Sequence, residues 1–106
     1  MGEQLYFPIW KKRLGDILDL SEHYSSASSI QLSQSHFDEV GNRRDYSFNL
    51  ILVNGQAVND ISGSAVARDL ASVIAENTDA MARLRNRTIR INMNQHFTLN
   101  IFDQTP

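Results

Sequence analysis

Between Thr88 and Phe102 apolar and polar residues alternate with a period of two. Ile89, Ile91 and Met93 are interleaved with Arg90 and Asn92, and after residues 94–96 Phe97, Leu99 and Ile101 are interleaved with Thr98 and Asn100. Successive strand side chains point to opposite faces, so each half has one apolar and one polar face. A connection formed by Asn94, Gln95 and His96 sets Met93 opposite Phe97, Ile91 opposite Leu99 and Ile89 opposite Ile101. A two-residue loop would mix the faces, so register favours the longer one. Asn and His tolerate the positive φ such a loop needs. The pattern predicts an antiparallel hairpin with one buried face.

Upstream the period changes. Trp10, Leu14, Ile17 and Leu18 fall at i, i+4, i+7 and i+8, one stripe of a helix that Pro8 can open. The stripe ends near Ser21 to His23, with Lys11, Lys12, Asp16 and Asp19 on the other faces. Gly15 either weakens this helix or admits a neighbouring backbone. Residues 25–29 read as a polar linker. Ile30 and Leu32 start a strand that can continue toward Phe37, with Gln31 and Ser33 on its second face. Residues 38–45 have turn composition. In residues 46–53 Phe48, Leu50 and Leu52 share one face, and Ile51 and Val53 make the second face partly apolar, as in a central or covered strand. Asn54-Gly55 signals a tight turn, with residues 56–58 returning as a short strand.

Ser62 or Ser64 can cap a second helix, whose stripe is Val66, Leu70, Val73 and Ile74 and whose water face is Arg68, Asp69 and Glu76. Asn77 and Thr78 break it, and a further turn runs through Met81 and Leu84. The order is helix, hairpin, helix, hairpin. Four one-sided strands and two striped helices close as an α+β two-layer sandwich: a four-stranded, mainly antiparallel sheet with two helices on one face, in the order α-β-β-α-β-β. The link from Val53 to Thr88 is long enough for a crossover that would make those strands parallel.

The whole chain, residues 1–106, is expected to be one domain able to form a core without disulfides or a structural metal. Its composition is that of an ordinary globular protein. The net charge of −2 gives no general pull toward nucleic acid or anionic lipid. There is no cysteine, which excludes disulfides, thiolate metal sites and cysteine nucleophiles. Residues 1–10 lack the basic region of a signal peptide and the pattern of a myristoylation signal, and no apolar run reaches membrane-spanning length. A cytoplasmic location is expected.

Candidate chemistry is sparse. His23, His36 and His96 have no metal-ligand spacing, and Ser62-Gly63-Ser64 lacks a nucleophile signature and serves better as a cap. No catalytic residue, metal ligand or cofactor is expected. Three features remain. Arg83, Arg85, Arg87 and Arg90 lie in a stretch without acids and can form a phosphate-contacting rim, or simply complement a helix C-terminus. Gln31, Ser33, Ser47, Asn49, Arg90, Asn92, Thr98 and Asn100 share a neutral polar sheet face if the strands align, suited to a protein, a sugar or base edges. Leu5, Tyr6 and Phe7 are aromatic and aliphatic anchors for a subunit contact or for the chain's own core.

These features imply a non-enzymatic binding or adaptor module acting through protein–protein contacts. It is expected to be a homodimer that assembles through Leu5, Tyr6 and Phe7 and recognises an unidentified protein through Asn92, Asn100 and the arginine rim. Two other readings stand beside this one. The chain can be a nucleic-acid-binding accessory protein using Arg83, Arg85, Arg87 and Arg90, or a small ligand-binding protein with a pocket between helices and sheet.

Overall fold

A computed structural model describes residues 7–23, 27–38 and 46–106. The elements are α1 (Ile9–His23), β1 (Ala27–Gln31), α2 (Ser35–Asp38), β2 (Phe48–Val53), β3 (Gln56–Ala57), α3 (Ala65–Glu76), α4 (Thr78–Arg83), β4 (Thr88–Met93) and β5 (Thr98–Asp103). The class is α+β, as expected, but the sheet has five strands rather than four, in the order β1-β5-β4-β2-β3. Every pairing is antiparallel, so the long link from β2 to β4 does not produce a parallel pair.

The expected pairing of the first two long strands does not occur. The β4–β5 hairpin lies between them, β5 bonding to β1 and β4 to β2. Residues 32–47 are too long a connection for a tight turn, which frees β1 to cross to the far side of the hairpin. There β1 begins at Ala27, inside the expected linker, because Ala27, Ser28 and Ser29 continue the register on Phe102, Ile101 and Asn100. It stops at Gln31, and the chain turns into α2 instead of running on as a strand. Of the expected turn at residues 38–45, all but Asp38 lies outside the described residues.

Ile30, Phe48, Leu50, Leu52, Ile89, Ile91, Met93, Leu99 and Ile101 are buried on one sheet face. Against them α1 packs on β1 and β5, and α3 packs on β2 and β3. Trp10, Ile17, Leu70 and Ile74 are among the fully buried side chains supplied by these helices. Ser64 caps α3 by accepting from the Ala67 N–H, and Asn77 caps α4 by accepting from the Ala80 N–H. None of the described helices is long and apolar enough to cross a membrane.

Two local departures have clear physical causes. Asp69 does not face water: it is 6% exposed, and its carboxylate accepts the Phe7 N–H at 2.9 Å. That bond satisfies an amide at the start of α1, where a negative charge also suits the helix dipole. The β4–β5 connection is shifted. Met93 pairs with Leu99, Ile91 with Ile101 and Ile89 with Asp103, a slip of two residues that preserves the faces. Its loop is residues 95–97, and Phe97, rather than Asn or His, takes the left-handed conformation at φ 62°. Asn94 steadies the turn by accepting the N–H groups of His96 and Thr98. A bulky residue in that region costs about 1–3 kcal/mol. The Phe97 ring is compensated by its neighbours, stacking on Phe37 with centroids 5.3 Å apart and lying 4.9 Å from Tyr46.

The glycines divide by environment. A Cβ on Gly15 would meet nothing within 4 Å, so this glycine admits no close backbone and only weakens α1. Gly55 has φ +79° beneath Met81, whose sulfur would lie 2.6 Å from a Cβ. Gly15→Ala should therefore raise the unfolding free energy by about 0.5–1 kcal/mol, whereas Gly55→Ala should lower it by more than about 1 kcal/mol. Urea melts of the two variants measure the difference in sign.

The same melts test the facing of the hairpin. Leu99 is fully buried, and Leu99→Ala should cost about 2–5 kcal/mol through the cavity it leaves. Asn100→Ala, on the opposite face, should stay within about 0.5 kcal/mol of wild type.

Candidate functional site

The sheet face away from the helices carries the candidate site. Cross-strand register arranges it in rows. Ser29, Asn100, Asn92 and Asn49 are successive partners across β1, β5, β4 and β2 and form a ladder of small neutral polar side chains. In the next row Phe102, Arg90 and Ile51 are partners across β5, β4 and β2. The Arg90 guanidinium lies 4.0 Å from the centre of the Phe102 ring, and its Nη1 is 3.5 Å from Asn49 Oδ1. At a partly exposed site a cation over an aromatic face contributes about 0.5–1 kcal/mol. Both groups are thereby held in position on an otherwise neutral surface. Gln31 and Thr98 close one end of the face with a 2.8 Å side-chain bond, and Gln31 also donates to the His96 carbonyl at 2.7 Å. At the other end Val53 is 36% exposed.

Of the residues singled out from sequence, Arg90, Asn92 and Asn100 come together here. Asn92 donates from Nδ2 to the Phe48 carbonyl at 3.2 Å, which fixes its amide. Ser33 and Ser47 lie beyond the strand ends, Ser33 bonding to Ser35. Arg83, Arg85 and Arg87 belong elsewhere. Arg83 reaches from α4 to Asp19 of α1 at 2.8 Å. Arg87 donates to the carboxylate of Asp103 and to the carbonyl of Ser21 near the end of α1, a carbonyl that helical bonding leaves open. Arg85 is exposed, with no ion pair among the described residues. The continuous arginine rim expected from sequence is thus divided between two packing roles, one solvent-facing side chain and the sheet face.

Phe102 and Ile51 belong to the site, although the alternation pattern places only polar residues there. Their signal is present in the sequence: Phe102 continues the face of Thr98 and Asn100 in its own strand, and Ile51 and Val53 make theirs apolar on the face of Asn49. Phe7 is fully buried within its own chain, against Phe37 at 5.7 Å, and so offers no ring surface to a second subunit. Leu5 and Tyr6 lie outside the described residues, as do the side chains of His23 and His36. His96 is exposed at the hairpin loop.

Among the described residues there are open surface clefts. One, of about 300 Å³, runs between β2 and the start of α3, lined by Ser47, Asn49, Asn59, Asp60, Gly63 and Ser64. The Ser62 hydroxyl and N–H bond to Asp60 and hold its carboxyl below the ordinary value. Among the described residues no three His, Cys, Asp or Glu side chains converge as a metal site. Comparison with family models, curated proteins and solved structures gives no match.

Asp103 combines several effects. Partial burial pushes its carboxyl up, but the Thr105 hydroxyl, the Arg87 guanidinium and the Thr105 N–H outweigh this and leave it below the ordinary carboxylate value. A depressed folded value means that the stabilisation is complete above the unfolded value, about 3.9, and is lost as pH falls through the folded one. Asp103→Asn should therefore destabilise the protein at neutral pH and lose less further stability than wild type on acidification below about pH 4. Urea melts of both proteins across that range measure the difference.

Proposed function

We propose that this chain is a non-enzymatic binding module that recognises a protein partner through the open face of its sheet, acting in a soluble compartment such as the cytoplasm. The Arg90–Phe102 pair carries the reading, set beside Ile51 and bordered by Asn49, Asn92 and Asn100. Aromatic residues and arginine are the types that anchor interfaces, and they do so when fixed before binding, since less side-chain freedom is then lost. Lys and Glu, whose long and strongly hydrated side chains oppose close contact, are missing from this face. Neutral amides around the anchor can donate and accept with little desolvation cost. Nucleic-acid binding has less support, because Arg83 and Arg87 are already bound to carboxylates.

Panning a phage-displayed peptide library on the immobilised chain tests this. Selected peptides should bind Arg90→Ala at least about tenfold more weakly, a loss of roughly 1.4 kcal/mol typical of an anchor, and should bind Arg85→Ala as they bind wild type. A library yielding no Arg90-dependent peptide counts against the reading. So does salt-sensitive binding of a labelled oligonucleotide that weakens in Arg85→Ala.

A further inference from the structure

The two edges of the sheet are treated differently. On one side the sheet ends in the two-residue β3, and where β3 leaves β2 uncovered Asn59 takes the place of a neighbouring strand: its Oδ1 accepts the Ile51 N–H at 2.8 Å and its Nδ2 donates to the Asn49 carbonyl at 2.8 Å. At the β1 edge no such cover is found among the described residues. Leu32 donates its N–H to the Phe97 carbonyl, and the same register makes Ile30 and Ser28 the residues bonded toward β5. The N–H and C=O groups of Ser29 and Gln31 therefore point outward, and no backbone partner meets them among the described residues. Edge strands are ordinarily protected by lysine, proline, a bulge or a covering element. β1 contains no lysine or proline, and its pairing with β5 is unbroken from Ala27 to Gln31.

We propose that this edge is where two copies of the chain join, β1 to β1 and antiparallel, into one continuous sheet. A two-fold axis perpendicular to the sheet at Ser29 pairs Ser29 with its counterpart and Ala27 with Gln31, which satisfies the outward backbone groups in both copies. The same axis keeps the helices of both copies on one side. A cleft along α1 and the β1 edge is lined by Arg13, Asp16, Asp19 and Leu20. Within one copy Arg13 pairs with Asp16 at 3.2 Å and Asp19 with Arg83 at 2.8 Å; running the two α1 flanks past each other in opposite directions lets Arg13 of each copy share the carboxylates of the other as well as its own. This charge arrangement is self-complementary, which singles out a second copy as the occupant. The dimer stands independently of the open-face reading, and Arg90-dependent peptide binding is unaffected by its failure.

The absence of cysteine permits a direct test. In a hydrogen-bonded antiparallel pair the two Cα atoms lie about 5.5 Å apart, within disulfide range. Mild oxidation should convert Ser29→Cys to a covalent dimer, while Val58→Cys, 59% exposed and well clear of β1, should remain monomeric. In sedimentation velocity wild type should show twice the chain mass. Ser29→Pro, which removes an outward N–H and no bond to β5, should show the single mass with an unchanged circular dichroism spectrum. Should Ser29→Pro not fold, the charge variants decide: Arg13→Asp should weaken dimerisation at least about tenfold and Arg13→Asp/Asp16→Arg should recover it. A monomeric wild type, a dimeric folded Ser29→Pro, or equal cross-linking through Val58→Cys overturns the proposal.

Discussion

The β4–β5 hairpin is the element on which the rest of the structure hangs. Both of its outer edges are occupied, by β1 and β2, and one of its faces supplies Ile89, Ile91, Met93, Leu99 and Ile101 to the core. Its other face supplies the candidate site. The turn joining its strands requires a left-handed residue, and that residue is a phenylalanine. The ring clusters with Phe37 and Tyr46, and Phe37 in turn touches Phe7 and Trp10. Backbone strain at one residue is thus held by packing that links the start of α1, α2 and the sheet.

Much of this architecture is legible in periodicity. The stripes of α1 and α3, the Asn54-Gly55 turn, the break at Asn77 and the two faces of the hairpin all follow from spacing and turn chemistry. Partner choice between strands does not. β1 is a short polar strand, and nothing local distinguishes pairing with β5 from pairing with β2; the decision lies in how the long connection packs. The slip at the hairpin escaped for a related reason. Local propensity assigns the positive φ to Asn or His, and only the aromatic cluster around Phe97 reverses that preference. Helix position alone points Asp69 toward water, because its partner, the Phe7 N–H, is distant in sequence.

The candidate site was half legible. Proximity in sequence grouped four arginines, yet Arg87 and Arg90 are three residues apart at the start of a strand and so point to opposite faces. Arg87 consequently reaches the carbonyl of Ser21 on the helix side, while Arg90 lies on Phe102 on the open side. Parity carried more information than clustering. Phe102 followed the same parity, and its pairing with Arg90 emerged only once the register was known.

The strand order has a consequence for the way the molecule is assembled as it is made. A chain synthesised as far as Arg87 already contains every helix, together with β1 and β2, but the centre of the sheet has not yet appeared. α1 and α3 then have no complete surface to rest on, and β1 and β2 each present a ladder edge with nothing between them. Contacts between residues far apart in sequence form slowly, and exposed strand edges invite association with other chains. The interval before residues 88–103 leave the ribosome is accordingly the stage at which apolar helix stripes and open strand edges are exposed together.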